Sequence, residues 1–258
     1  MSEARYAYGD SASAGDRLDL VAGVFEPTSR RFLERAAPRM PRLALDLGCG
    51  PGNTTRMIAD ALQPERTVGL DRSGPFLDRA RQGAPPRVEF MEHDVFVTPF
   101  PIGAADVIFA RLLLAHLPDR PAVVARWITQ LAPGGVVLLD EIEDLRTDEP
   151  AFEEYLAIAI EVVEGSGGRL LAGPELGAMF EPPGTQRIWD EVVALDATAP
   201  QAAAIFGMNL RVLAERGEIE PRPRLERELE VIAERGGGSI DWRVRQVAFR
   251  RDARRSKG

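Results

Sequence analysis

An α/β architecture, doubly wound around a mostly parallel seven-stranded sheet with helices on both faces, follows from three observations. Apolar segments of strand length recur at 43–47, 67–71, 88–91, 106–110 and 136–141, and the stretches between them carry helical spacing. The first segment runs into Gly48, Gly50 and Gly52, a tight turn that opens a helix. Polar residues then fall just past the strand ends, where doubly wound sheets present their ligand crevice.

Each element can be justified in order. Residues 16–37 carry Leu18, Leu20, Val21, Val24, Phe25, Phe32 and Leu33, but Pro27 interrupts them, which predicts two short helices. β1 spans 43–47, and the helix at 54–61 turns its dipole end toward the glycine turn. β2 at 67–71 precedes a helix at 75–82, and β3 at 88–91 has Asp94 just beyond it. β4 at 106–110 leads into a helical stretch at 111–117 and a helix at 120–131, closed by Pro133-Gly134-Gly135 before β5 at 136–141. The pattern then changes. A helix at 150–164, a hinge at 165–168, a short helix at 174–180, β6 at 186–195, helices at 199–216 and 222–235, and β7 at 240–250 complete the chain. This order predicts an N-terminal helical lid (1–37), a core (38–145), a substrate-cap insertion (146–184) and the C-terminal part of the core (185–258).

Composition excludes several classes. With 258 residues, 45% of them hydrophobic, the chain can bury a core without covalent staples, and its single cysteine forbids an intrachain disulfide. That cysteine, Cys49, sits inside the glycine turn and reads as a small buried filler in preference to a nucleophile. The two histidines, His93 and His116, are far apart and no Cys/His cluster has ligand spacing, so no metal site is expected. The net charge of −8, from 32 basic and 40 acidic residues, disfavours a nucleic-acid partner. One basic stretch, 243–257, holds seven basic residues, but its alternation reads as a strand with a solvated face. The polar N-terminus and the lack of any membrane-length apolar run point to a cytoplasmic protein without a membrane partner. A homodimer stays open.

The chemistry lies at the sheet edge. Asp71 ends β2, where a carboxylate accepts hydrogen bonds from both hydroxyls of a ribose, so the turn and Asp71 together describe a nucleoside-binding βαβ unit. The glycines read G-x-G-x-G followed by Asn53, which departs from the G-x-G-x-x-G dinucleotide fingerprint. The string 45–52, with Asp71 downstream, resembles motif I and the acidic loop of the class I (Rossmann-like) S-adenosylmethionine-dependent methyltransferases of the small-molecule type.

That resemblance covers residues 40–145 well and implies a cofactor, S-adenosylmethionine, with S-adenosylhomocysteine as product. It implies cofactor contacts from Asp46, Gly48, Cys49, Gly50, Asn53 and Thr54 at the turn, and from Asp71 and Arg72 after β2. Asp94 and Val95 would meet adenine, and Arg111 the methionine end; His93 reads as a surface or structural residue. Enzymes of this kind fold an N-terminal segment over the cofactor, which implicates Arg17 for its carboxylate and Tyr6 or Tyr8 beside the sulfonium.

A general base is optional in such a transfer. If one acts, His116 and Glu141 are the candidates, followed by Glu143 and Asp144, although Glu141 and Glu143 could instead be solvated or cap the next helix. Phe152, Tyr155, Phe180, Phe206 and Met208 either line an apolar acceptor pocket or pack in the core. The segment after β4 lacks the Asn/Asp-Pro-Pro-Tyr motif of amino-methylating DNA enzymes, and no Pro-Cys pair exists. The function expected is methyl transfer to O, N or C of a small organic molecule. The alternative is a methyltransferase-fold protein that binds the cofactor without methyl transfer, as a regulatory module or as a cyclase or rearrangement enzyme. An NAD-linked oxidoreductase fits the fold but not the glycine spacing.

Overall fold

The structure is a computed structural model, and it describes residues 8–253. One seven-stranded sheet has the order β3-β2-β1-β4-β5-β7-β6. The strands are β1 (Leu43–Leu47), β2 (Arg66–Asp71), β3 (Val88–Glu92), β4 (Ala105–Arg111), β5 (Leu131–Arg146), β6 (Thr185–Ala194) and β7 (Asp241–Arg251). The first five pair in parallel, whereas β7 runs antiparallel to both β5 and β6. Chain order reverses beside β1, between β2 and β4, and there the carboxyl ends of the strands open a crevice.

Both faces of the sheet are apolar, as buried parallel strands require. Leu45, Leu47, Val68, Leu70 and Ile108 pack with Trp127 on one face. Ala44, Val107, Phe109 and Leu138 pack with Phe32, Met57 and Ile58 on the other. The helices that supply these partners are α1 (Ala12–Ala36), α2 (Asn53–Leu62) and α4 (Arg120–Thr129), while α3 (Gly74–Arg81) packs Leu77 and Ala80 with Val88 and Phe90 of β3. A second core forms among α1, α5 (Pro150–Gly165), α7 (Ala199–Glu215), α8 (Pro223–Arg235) and the ends of β5 and β7, while α6 (Gly173–Ala178) places Leu176 in the first.

Several expectations need correction. The N-terminal region is one helix, α1, running through Pro27. Proline removes one backbone donor, but Val21 and Phe25 before it and Phe32 and Leu33 after it are all buried, so packing holds both halves in line. β5 does not stop at residue 141: β7 pairs with it from Val136↔Arg250 to Arg146↔Asp241, so Glu141, Glu143 and Asp144 lie within the strand. Residues 111–117 form no full helix; a single 3-10 turn, Leu114–His116, follows Leu112 in left-handed backbone.

The glycines at 165–168 are a docking point as well as a break. A Cβ on Gly168 would lie 2.3 Å from the Ala115 carbonyl oxygen, and that oxygen accepts the Arg169 N–H at 2.7 Å. The basic stretch is absorbed by β7, where Val244, Val247, Ala248 and Phe249 are buried. Arg245 donates to Glu143 and Asp190, which raises its pKa, the Glu143 hydrogen bond most. Its last members, Arg254, Arg255 and Lys257, lie outside the described residues, as does Tyr6.

Candidate functional site

The glycine turn follows from backbone sterics. Gly48, Gly50 and Gly52 have φ of 64°, 51° and 87°, a region that side chains with a Cβ seldom enter. A Cβ on Gly48 would come 2.8 Å from Leu113 Cδ1, and one on Gly52 would come 2.7 Å from the Phe90 ring. A Cβ on Gly50 would meet only Leu18, at 3.4 Å, so this glycine presents bare backbone to open space.

That space is a cavity of about 430 Å³ at the carboxyl edge of the sheet. One wall is the turn, with Asn53 and Thr54 opening α2, Asp71 and Arg72 after β2, and Asp94 and Val95 after β3. The lining also contains Arg17 of α1, Arg111 at the end of β4 with Leu112 and Leu113 after it, His116, and Arg216 just past α7. Asp46, Tyr8 and Glu141, all named from sequence, are outside the lining.

Asp71 organises the turn it serves. Its Oδ2 accepts the Gly50 N–H at 2.8 Å and its Oδ1 the Ser73 N–H at 2.9 Å. Burial raises its pKa, opposed by those two backbone bonds. Asp94 is exposed and caps its own loop by accepting the Phe96 N–H at 2.8 Å, while the Val95 carbonyl takes the Trp127 indole N–H at 2.9 Å. His93 lines the cavity and is tied locally, contacting the Val97 carbonyl at 2.8 Å and the Phe100 ring edge-on.

Asp46 braces the site from behind. Its Oδ2 accepts the Thr55 hydroxyl at 2.7 Å, tying β1 to the first turn of α2, and burial lifts its pKa to about 7 against the pull of Thr55 and Arg111. Cys49 is the buried filler: a Cβ on Gly69 would lie 2.8 Å from its Sγ, and burial pushes the thiol pKa well up, away from nucleophilic use. Arg111 donates to Thr54 Oγ1 at 3.0 Å and to Ser29 Oγ at 3.3 Å, and Ser29 donates to Asp140 at 2.6 Å. Burial lowers the Arg111 pKa, while Asp140 and Asp46 support its charge.

Arg17 is buried and aimed by other elements. Its guanidinium donates to Asn209 of α7, which donates to the Tyr155 hydroxyl of α5, and it stacks 3.9 Å over the Tyr8 ring. Tyr8, outside the lining, thus backs Arg17, with its ring edge-on to His116. His116 lines the cavity, yet burial, followed by Arg17, Arg120 and Arg72, pulls its pKa down to about 3. The imidazole is therefore neutral and a weak base.

Of two sequence readings, that of Glu141 fails and that of the apolar residues resolves toward core packing for all but Phe180. Glu141 is neither solvated nor facing the cavity: it has 0% exposure, and its Oε1 accepts the N–H groups of Leu113 and Leu114. Phe152, Tyr155 and Phe206 stack together in the second core, Phe180 is 93% exposed, and Met208 packs beside Tyr8 and Phe76, so none of the five lines the cavity.

Sequence reasoning missed Arg216, Leu112, Leu113 and Asp10. Arg216 lies at the C-terminal end of α7 and its guanidinium fills the space a Cβ on Gly9 would need. No local pattern marks such a residue, because its partner lies at the far end of the chain. Among the described residues no His/Cys/Asp/Glu group could hold a metal ion, and no helix is long and apolar enough to cross a membrane.

A nucleoside-type turn, a strand-end acid and a topological switch point define a Rossmann-like cofactor-binding protein, and residues 44–135 match the family described as a methyltransferase domain. Residues 44–135 thus carry a methyltransferase domain, in keeping with the class I S-adenosylmethionine-dependent resemblance of the glycine turn and Asp71. Among named proteins it is similar to trans-aconitate 2-methyltransferase of Methylobacterium radiotolerans, 35% identical over 174 residues, which cover 67% of this chain and 62% of that relative. The same enzyme of an Azoarcus strain is 37% identical over 123 residues, so the chain spans about half of that relative's length (47%) and covers 48% of itself. In fold it is similar to Haemonchus contortus phosphoethanolamine N-methyltransferase 2 in complex with S-adenosylhomocysteine, with a TM-score of 0.57, 18% identity, and coverage of 98% of this chain and 61% of that one.

Proposed function

We propose that this protein transfers a methyl group from S-adenosylmethionine to a carboxylate oxygen of a small polycarboxylate, of the kind named in its trans-aconitate 2-methyltransferase relatives. The observation that carries the reading is the composition of the cavity. One lining combines a nucleoside set, Gly48, Gly50, Asp71 and Asp94, with a cationic set, Arg17, Arg72 and Arg216, and with neutral His116.

The bare backbone at Gly50 and the remaining acceptor capacity of Asp71 fit the cofactor. Each Asp71 oxygen already takes one backbone N–H, which leaves lone pairs for ribose hydroxyls. Asp94 and Val95 would hold the adenine edge, Arg111 the methionine end and Arg17 the cofactor carboxylate, as a planar guanidinium suits. When bound, S-adenosylmethionine supplies a methyl group on a sulfonium that is already a good leaving group. What remains for the protein is to orient the acceptor and exclude water.

The acceptor class follows from what the cavity lacks in basicity. A carboxylate is ionised before it binds, so no proton has to leave, and a histidine with a pKa of about 3 is no obstacle. The guanidinium groups that depress that histidine also create the positive potential an anionic acceptor needs.

Incubation with methyl-labelled S-adenosylmethionine and trans-aconitate tests this directly. The expected product is an alkali-labile methyl ester. Label in an alkali-stable product would overturn the carboxylate reading, and preferential binding of NAD would overturn the cofactor reading. A protein that binds S-adenosylhomocysteine but labels nothing in a metabolite extract would be a cofactor-binding module or rearrangement enzyme instead.

A further inference from the structure

We infer that Glu141 is a positioning residue: its side chain grips consecutive backbone N–H groups of the β4 loop and so sets the shape of the cavity wall. Oε1 accepts the Leu113 N–H at 2.9 Å and the Leu114 N–H at 2.8 Å. The preceding N–H, that of Leu112, goes to the Asp140 carbonyl at 3.0 Å. Three consecutive amides therefore end on two adjacent residues of β5.

The loop needs such a grip because its backbone is unfavourable. Leu112 has φ of 54°, a left-handed conformation that is an outlier for a bulky residue and persists only where the surroundings determine it. Leu113 follows at φ −98° and ψ −43°. This alternation turns successive N–H groups into one concavity, a nest suited to an electron-rich oxygen, and Glu141 fills it from within the protein. Its other oxygen, Oε2, makes no hydrogen bond among the described residues, so one acceptor atom does the holding.

The grip reaches the cavity through short connections. Leu112, Leu113 and His116 all line it, and the Leu113 side chain occupies the space that a Cβ on Gly48 would enter. Release of Leu113 and Leu114 would free Leu112 to relax and move Leu113 against the glycine turn. The inference rests on the cofactor reading only for its ligand-binding measurement.

The test compares the full-length wild type with Glu141→Gln and Glu141→Leu, using amide hydrogen exchange at 113–114 and calorimetry with S-adenosylhomocysteine. Glutamine keeps an acceptor oxygen; leucine does not. The Leu variant is expected to exchange at least about tenfold faster at those amides, with β1 amides unchanged, and to bind about tenfold more weakly, the cost of losing buried bonds. The Gln variant is expected to stay within about threefold of wild type in both. Unchanged exchange or unchanged affinity in the Leu variant, or equal damage from Gln, would overturn the inference. If the Leu variant fails to fold, the Gln variant decides: wild-type protection at Leu113 and Leu114 supports the grip, and lost protection overturns it. Failure of the wild type to bind S-adenosylhomocysteine would sink the cofactor reading while the exchange measurement still judged Glu141.

Discussion

The two walls of the cavity are built in different ways. The nucleoside wall is assembled from short chain segments, the glycine turn and the residues just after β2 and β3, and backbone groups do much of its work. The cationic wall draws Arg17 from α1 and Arg216 from beyond α7, helices that pack on each other, so that both residues line one cavity. A wall made of backbone tolerates little variation, whereas one made of side chains can be re-specified residue by residue. On the proposed reading, this difference separates the part that holds the cofactor from the part that selects the acceptor.

The sharpest way to break the first wall is Asp71→Ala. It removes the proposed ribose acceptor and leaves the Gly50 and Ser73 amides without their partner, so S-adenosylhomocysteine affinity is expected to fall about 100-fold by calorimetry, some 2 to 3 kcal/mol. Affinity within threefold of wild type would show that the turn binds without it.

The buried acids beneath both walls predict an uncommon pH response. Asp46, Asp140 and Glu141 have folded pKa values of about 7, about 6 and about 8, raised above 3.8, 3.8 and 4.5 first by burial. Each binds its proton more tightly when folded, so its stability contribution is full below the ordinary value and is lost as pH rises through the raised one. His116 works in the opposite sense, losing stability as pH falls below 6.5 toward 3, and so is silent above pH 6.5. Thermal stability is therefore expected to decline between about pH 6.5 and 8, by about 1 to 2 kcal/mol in all, and less steeply in Glu141→Gln. A flat profile would mean that these carboxyls stay ionised in the fold.

The cationic wall can be divided by paired substitutions. Arg17→Ala is expected to weaken S-adenosylhomocysteine about tenfold, as loss of one charge-assisted contact does, whereas Arg216→Ala should raise the acceptor KM several-fold and leave that affinity within about twofold. The reverse pattern would exchange their assignments. The smallest effect belongs to Cys49→Ala, a loss of about 1 kcal/mol of stability from a small cavity, with cofactor affinity unchanged. Rapid alkylation of the wild-type thiol would contradict its burial.

Much of the first wall was legible in the sequence because its determinants are local. Glycine at 48, 50 and 52 reports a backbone conformation directly, and Asp71 sits at the end of an apolar run that could only be a buried strand. The helices from α2 to α8 follow their apolar spacing to within a few residues. Pro27 misled because a local rule about helix interiors lost to burial on both sides of it. Glu141 misled for a related reason: a carboxylate after an apolar run reads as the strand's polar end, yet β7 extends the strand past it.

By itself, then, the sequence determined the parallel α/β core, the nucleoside turn and the acid that serves it, since these depend on dihedral preference and on periodicity within a few residues. Only the tertiary structure decided which arginines line the cavity, that His116 is held neutral, and that Glu141, a candidate base by sequence, instead holds a loop. Those outcomes are set by burial and by contacts between segments far apart in the chain, and neither quantity is written in any local pattern.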